Sequence, residues 1–280
     1  MKWDDLRRSR NVEDRRGTWG GGLGRGVSIG GGGIILVLLA SLLLGVNPLE
    51  VLGGLQGAPP SAQVQENPAD DRTADFVSAV LGDTEDTWNT IFQRQLGADY
   101  QEPRLVLFSG GVESACGFAQ TASGPFYCPL DQRVYLDTAF FRQIQAAAGP
   151  DADFARAYAI AHEVGHHVQH LLGISDQAQR QMARSSTGTR NAISVRLELQ
   201  ADCLAGVWGH YTAQRGLINN TDLQSALNTA AQIGDDYLQK QSRGYVVPDA
   251  FTHGSSEERV SWFRRGLQSG DIRQCDTFGR

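Results

Sequence analysis

Apolar residues recur along this chain on different periods, and the period marks out the elements. Residues 74–95 carry helical spacing. "RLVLFS" (104–109), "PFYC" (125–128) and "RVYLD" (133–137) are short apolar or aromatic runs between turn residues, and read as strands. Asp137 stands where a cap for the helix "TAFFRQIQAAAG" belongs, and Gly149-Pro150 stops that helix. Helical spacing then persists over about 151–172, 190–214, 221–241 and 256–268. A small sheet followed by a mainly helical bundle predicts an α+β domain.

A different pattern precedes that domain. "SIGGGGIILVLLASLLLGV", residues 28–46, contains no charged residue. About 20 helical residues span roughly 30 Å of hydrocarbon, so the run predicts one transmembrane helix. Its densest part, Ile34 to Val46, also suits the core of a cleaved signal peptide, and a buried core helix is a third reading. The long polar head and the lack of a clear A-x-A site favour a retained anchor. Charge gives the orientation. Residues 1–46 hold seven basic and four acidic residues, a net +3, against −6 for the whole chain. The positive-inside rule then predicts a cytoplasmic N-terminus over 1–27, an anchor over 28–46, a flexible linker over 47–72 and an extracytoplasmic domain over 73–280, in a single-pass protein of the cell membrane. The acidic total excludes nucleic acid as a partner, since that needs a basic footprint.

Four cysteines (Cys116, Cys128, Cys203, Cys275) follow the apolar run, with no C-x-x-C spacing. Of three possible pairings, Cys116–Cys128 with Cys203–Cys275 is preferred. The first staples the Gly/Ser-containing loop "ACGFAQTASGPFYC", and the second ties the C-terminal tail to a helix.

The candidate chemistry is concentrated in "HEVGHHVQH", residues 162–170, which hold four of the chain's six histidines. His162 and His166 are four apart, share a helical face and can converge on one zinc ion. Glu163, rotated by about 100°, stands where a general base for an attacking water is needed. His162, Glu163, His166 and His170 fall in one sector, with Ile160, Val164, Val168 and Leu171 opposite, so one face should be cleft and the other core. Gln169 and Leu172 occupy the positions that would extend the motif in a metzincin, which excludes that class. Downstream, "LELQADCLAG" places Glu198 and Asp202 on one face of a second helix. Glu198 suits a third ligand. Asp202 suits the acceptor of a ligand histidine's free ring N–H. His167 and His210 are weaker candidates, more often surface residues than ligands.

Together with "RRSRNVEDRRG", "GPFYCPLDQRVYLD", "AIAHEVGHHVQHLLG", "RLELQADCLAGVW" and "HGSSEERVSWFRRG", these motifs make the chain resemble the neutral zinc metallopeptidases of bacteria, single-pass membrane proteins with a zincin-like domain. The zinc-site pattern is also similar to gluzincins and to the CAAX-processing and heat-shock metallopeptidases. The resemblance implies Zn2+, ligands His162, His166 and Glu198, and Glu163 as base. Similarity to the CAAX-type enzymes further implies that His253 and Arg259 contact the reacting carbonyl, on a helix capped by Ser255 or Ser256. "RVYLD" is expected to be an edge strand that aligns substrate. The function expected is hydrolysis of protein or peptide substrates outside the membrane. The alternative is a non-catalytic zinc-binding envelope protein, a binding or scaffold module.

Overall fold

The computed structural model describes residues 1–16, 68–120, 124–148, 152–232 and 234–279. Six strands are present among them: β1 (Val12–Asp14), β2 (Arg104–Phe108), β3 (Gly111–Ser114), β4 (Gly117–Gln120), β5 (Phe126–Cys128) and β6 (Arg133–Asp137). The helices are α1 (Pro68–Ile91), α2 (Thr138–Ala148), α3 (Ala152–Leu171), α4 (Ile174–Met182), α5 (Thr187–Gln214), α6 (Asn220–Gln232), α7 (Asp235–Arg243) and α8 (Ser256–Ser269). One sheet has the order β1-β2-β6-β5, with β5 antiparallel to β6 and the other pairs parallel. β3 and β4 form a separate hairpin. The helices pack against the main sheet, giving the expected α+β architecture of a small sheet and a helical bundle.

Local signals account for much of this. Asp137 Oδ1 accepts the Ala139 N–H at 2.7 Å and starts α2. Ser255 and Glu258 form a reciprocal capping box at the start of α8. α1 begins at Pro68, inside the stretch expected to be linker, and the helical run expected over 221–241 is divided into α6 and α7. The π-turn Phe92–Leu96 closes the first helical stretch on Gly97 in the left-handed region. Both disulfides are paired as expected, Cys116 with Cys128 and Cys203 with Cys275.

The membrane topology requires correction. The run over 28–46 lies outside the described residues, and among the described residues no helix is long and apolar enough to cross a membrane. The sheet overturns the expected separation of a cytoplasmic head from an extracytoplasmic domain. β1 precedes that run and β2 follows it, yet Val12, Glu13 and Asp14 pair with Leu105, Val106 and Leu107 in one parallel ladder. A single crossing between them would place hydrogen-bonded strands on opposite sides of a bilayer. Residues 1–16 belong to the folded unit: Trp3 is 2% exposed, and its Nε1–H donates to Asp153 at 3.0 Å, at the start of α3. Buried Glu85 of α1 accepts from Ser9 at 2.5 Å, Asn11 at 2.8 Å and Arg7 at 2.7 Å.

Three glycines set how closely the functional helices approach. A Cβ on Gly165 of α3 would stand 3.0 Å from the Ala201 carbonyl of α5. Cβ atoms on Gly206 of α5 and Gly266 of α8 would strike the carbonyls of Phe263 and Cys203 respectively. Each helix of the α5–α8 crossing thus meets the other backbone to backbone, which only glycine permits at these points.

Candidate metal centre

α3 supplies His162, Glu163 and His166, and the crossing at Gly165 brings Glu198 and Asp202 of α5 alongside them. His162 Nε2 lies 3.2 Å from Glu198 Oε2, and His166 Nε2 lies 3.6 Å from Glu198 Oε1. One ligand atom from each residue falls within 4.8 Å of the others. Tetrahedral zinc with bonds near 2.1 Å needs its ligand atoms about 3.4 Å apart. The two Glu198 oxygens each face one histidine near that distance, so two imidazoles and a carboxylate converge and suit zinc in chemistry.

The remaining ring nitrogens are fixed from behind. His162 Nδ1 is 2.8 Å from Asp202 Oδ1. His166 Nδ1 is 2.9 Å from Gln169 Oε1, whose amide in turn donates to the Leu197 carbonyl at 2.7 Å. Asp202 is fully buried and also accepts from Tyr158 Oη and from Arg259, through Nε at 2.8 Å and Nη2 at 2.9 Å. Such outer partners orient ligand rings and raise their basicity.

Charge follows the geometry. Burial opposes the imidazolium of His162, but Asp202 and Glu198 outweigh it and hold the pKa up at about 10. A zinc ion held by these residues would supply the positive charge the carboxylates otherwise draw from a proton. Burial pushes Glu198 up, while His166 and His162 outweigh it and bring its carboxyl below the ordinary range. Burial raises Glu163, which keeps its basicity above that of a solvated glutamate.

All three donors line one cleft of about 870 Å³, together with Glu163, His253 and Arg259. A groove of about 910 Å³ along the outer face of α8, past Trp262 and Arg265, contains none of these groups. The helix presents less open surface than its periodicity implied: His162 and Glu163 are each 7% exposed, and His167 and Gln169 are buried. His167 is therefore no surface residue. Its Nε2–H donates to the Gln101 carbonyl at 2.6 Å, and its Nδ1 accepts from Tyr127 Oη at 3.0 Å. His170 faces Asp176 at 3.7 Å, and His210 bonds the Leu267 carbonyl at 2.8 Å; neither joins the cluster.

His253 and Arg259 arrive differently from one another. Arg259 is 2% exposed and turns Nε and Nη2 onto Asp202, so it meets the site from behind His162. His253 stands at the cleft with its side chain 51% exposed. Asp235, at the start of α7, holds it there. Its Oδ2 accepts the backbone N–H groups of Thr252, His253 and Gly254 at 2.7, 2.6 and 3.0 Å, and its Oδ1 lies 3.3 Å from His253 Nδ1. Gly254, at φ +90°, makes that turn possible.

β6, expected to be an edge, is paired on both sides; the edge strand at the cleft is β5, which contributes Phe126 and Tyr127. Asp235, Gln169, Tyr158 and the Tyr127–His167 contact were not anticipated from sequence. Gln169, three residues after His166, and Tyr158, four before His162, had a readable signal on the same helix.

Comparison with known proteins matches the sequence to a family. Residues 1–278 match the family described as "putative neutral zinc metallopeptidase". The chain is 47% identical over 287 residues to the Escherichia coli (strain K12) protein YpfJ, covering 100% of this chain and 99% of YpfJ, whose function is uncharacterized. It is 45% identical over 193 residues to the uncharacterized protein Rv2575 of Mycobacterium tuberculosis (strain ATCC 25618 / H37Rv), covering 64% of this chain and 63% of that protein. No solved structure matches the chain. With nearly every residue matched, and with a donor set that suits the family's metal, the chain belongs to the neutral zinc metallopeptidase family.

Proposed function

We propose that the protein is a zinc-dependent endopeptidase that hydrolyses peptide bonds within proteins or peptides. The observation that carries this reading is the position of Glu163. Its carboxyl lines the same cleft as the His162, His166 and Glu198 donors without being one of them. A structural zinc site is closed by four protein ligands and needs no base, whereas a catalytic one has three and keeps a position open. When bound, zinc polarises the scissile carbonyl and makes water acidic enough to attack near neutral pH.

Glu163 takes the proton of the attacking water and returns it to the departing amine. Its raised pKa suits both halves of that task. Asp202 holds the His162 ring by Nδ1, which directs Nε2 toward the metal. Arg259 keeps Asp202 ionised and in place. His253, held through Nδ1 by Asp235, offers Nε2–H to the carbonyl oxygen as charge develops on it. The substrate main chain lies along the free edge of β5.

Glu163→Gln tests this directly. Zinc content by mass spectrometry should be one ion per chain in wild type and variant alike. Cleavage of quenched peptides should be lost in the variant alone. Undiminished cleavage by Glu163→Gln sinks the mechanism. A wild-type protein that holds zinc and cleaves nothing is a binding module.

A further inference from the structure

Resting on the peptidase reading, we propose that the cleft contains an apolar side-chain subsite beside the metal triad, built by Ala159, Phe140 and the Gly124-Pro125 turn, and that the substrates are extended peptide segments with an aromatic or large aliphatic residue next to the scissile bond.

Ala159 lies three residues before His162 on α3, about 4.5 Å along the axis and roughly 60° around it, on the side of Glu163. It is 8% exposed and lines the cleft. Phe140 of α2 packs against the small-residue patch of α3 that includes Ala152, Ala155 and Ala159, and its ring also lines the cleft. Gly124, at φ +69°, leads into β5, and a Cβ there would approach the Phe140 ring to 3.8 Å. This end of the cleft is thus floored by a methyl group and walled by a ring and a proline. A large residue at position 159 would occupy the space that an incoming side chain needs.

Charge excludes the alternatives. The ionisable side chains lining the cleft, apart from the tyrosines, are His162, Glu163, His166, Glu198, His253 and Arg259, all of them at the metal centre. The α4 side is lined by Ser175 and Gln179, polar but uncharged. An aspartate, glutamate or lysine side chain seated among Gly124, Pro125, Phe140 and Ala159 would surrender hydration, with no charged group in that part of the lining to replace it. An apolar side chain there loses nothing and leaves water. Phe126 of β5 is stacked flat on Tyr135, with ring centroids 4.8 Å apart and planes 6° apart, so the strand that would align the peptide is itself braced.

The zinc-loaded protein is given an unfolded, reduced casein, and the cut sites are read by mass spectrometry. One position flanking the cuts should be dominated by Phe, Tyr, Leu or Met, with Asp, Glu and Lys excluded. In matched quenched peptides, Ala159→Met should lower the Phe-to-Ala ratio of kcat/KM by about 10–200-fold. Phe140→Ala should lower the same ratio by a different route, with thermal melts checking that both variants fold. As a readout free of turnover, fluorescence polarisation on zinc-loaded Glu163→Gln should rank a Phe peptide above its Asp counterpart. Cuts without flanking preference, or a ratio unmoved in both folded variants, overturn the subsite and leave the peptidase reading standing. No cleavage by wild type, with the Phe peptide still bound preferentially, overturns the peptidase reading and supports the subsite. Neither cleavage nor discrimination overturns both.

Discussion

Asp202 stands 2.8 Å behind Nδ1 of His162, on the side away from the metal donors. It is a carboxylate with no access to water that faces an imidazole, a guanidinium and a phenol at once. The arrangement makes the metal centre part of the protein core.

Glu198 and Asp202 should therefore differ in kind. Glu198→Ala removes a ligand, whereas loss of an outer partner costs about 10–100-fold in metal affinity. In a competitive zinc titration, Glu198→Ala should lose metal more severely than Asp202→Asn. Arg259→Met should destabilise the fold by about 3–5 kcal/mol, because it strands the buried Asp202 charge. Denaturant unfolding measures this, and an unchanged midpoint contradicts the pairing.

His253 and Asp235 predict a basic limb in the pH profile. The hydrogen bond from His253 to Asp235 raises the imidazole pKa above its ordinary 6.5 despite burial. A group raised on folding contributes its full stabilisation below the unfolded pKa and loses it as pH rises through the folded one. Activity that depends on the protonated ring should fall in the same direction. His253→Ala should keep zinc and lose about 10²–10³ in kcat. Asp235→Asn should move the basic limb of kcat to lower pH, and a profile unmoved by that change excludes Asp235 as the positioning group.

His167 predicts acid sensitivity of the opposite sign. Burial holds its pKa down at about 4 while both ring nitrogens are engaged. Its contribution is complete above pH 6.5 and is lost as pH falls from there toward 4, on the order of 3 kcal/mol in all. Unfolding midpoints at pH 7 and pH 4.5 should differ more in wild type than in His167→Gln.

The two disulfides close loops with sequence separations of 12 and 72 residues, worth about 3 and about 4.4 kcal/mol in the chain-entropy model. Cys128 belongs to β5 and Cys203 follows Asp202, so each bridge ends at one wall of the site. The denatured, unreduced protein should react with no maleimide, and the reduced protein with four equivalents. Reduction should lower the melting temperature and peptide affinity together.

The parts of this molecule that were legible in sequence are those whose partners lie within one element. His162, Glu163 and His166 are bound by helical spacing, as are Glu198 and Asp202, and the Ser255–Glu258 box lies within one turn. The pattern did not yield Asp235, because its partners lie 17 to 19 residues downstream, beyond the whole of α7 and the loop that follows it. β1 is three residues of mixed polarity, too short for alternation to register, and it pairs 93 positions away. The same non-local pairing made β6 internal and left β5 as the edge. The apolar run over 28–46 carried a strong local signal, and the topology drawn from it failed because β1 and β2 belong to one ladder.

That ladder also governs how the protein can be handled. A chain trimmed to begin at residue 68 would strip the outer strand from β2 and uncover the surface beneath Trp3. It would also leave buried Glu85 without its Ser9, Asn11 and Arg7 donors. An unpaired parallel strand beside exposed apolar surface is a template for aggregation. The folded unit therefore joins residues 12–14 to residues 105–107 in one ladder, and the segment most readily discarded as a leader is the first piece of its sheet.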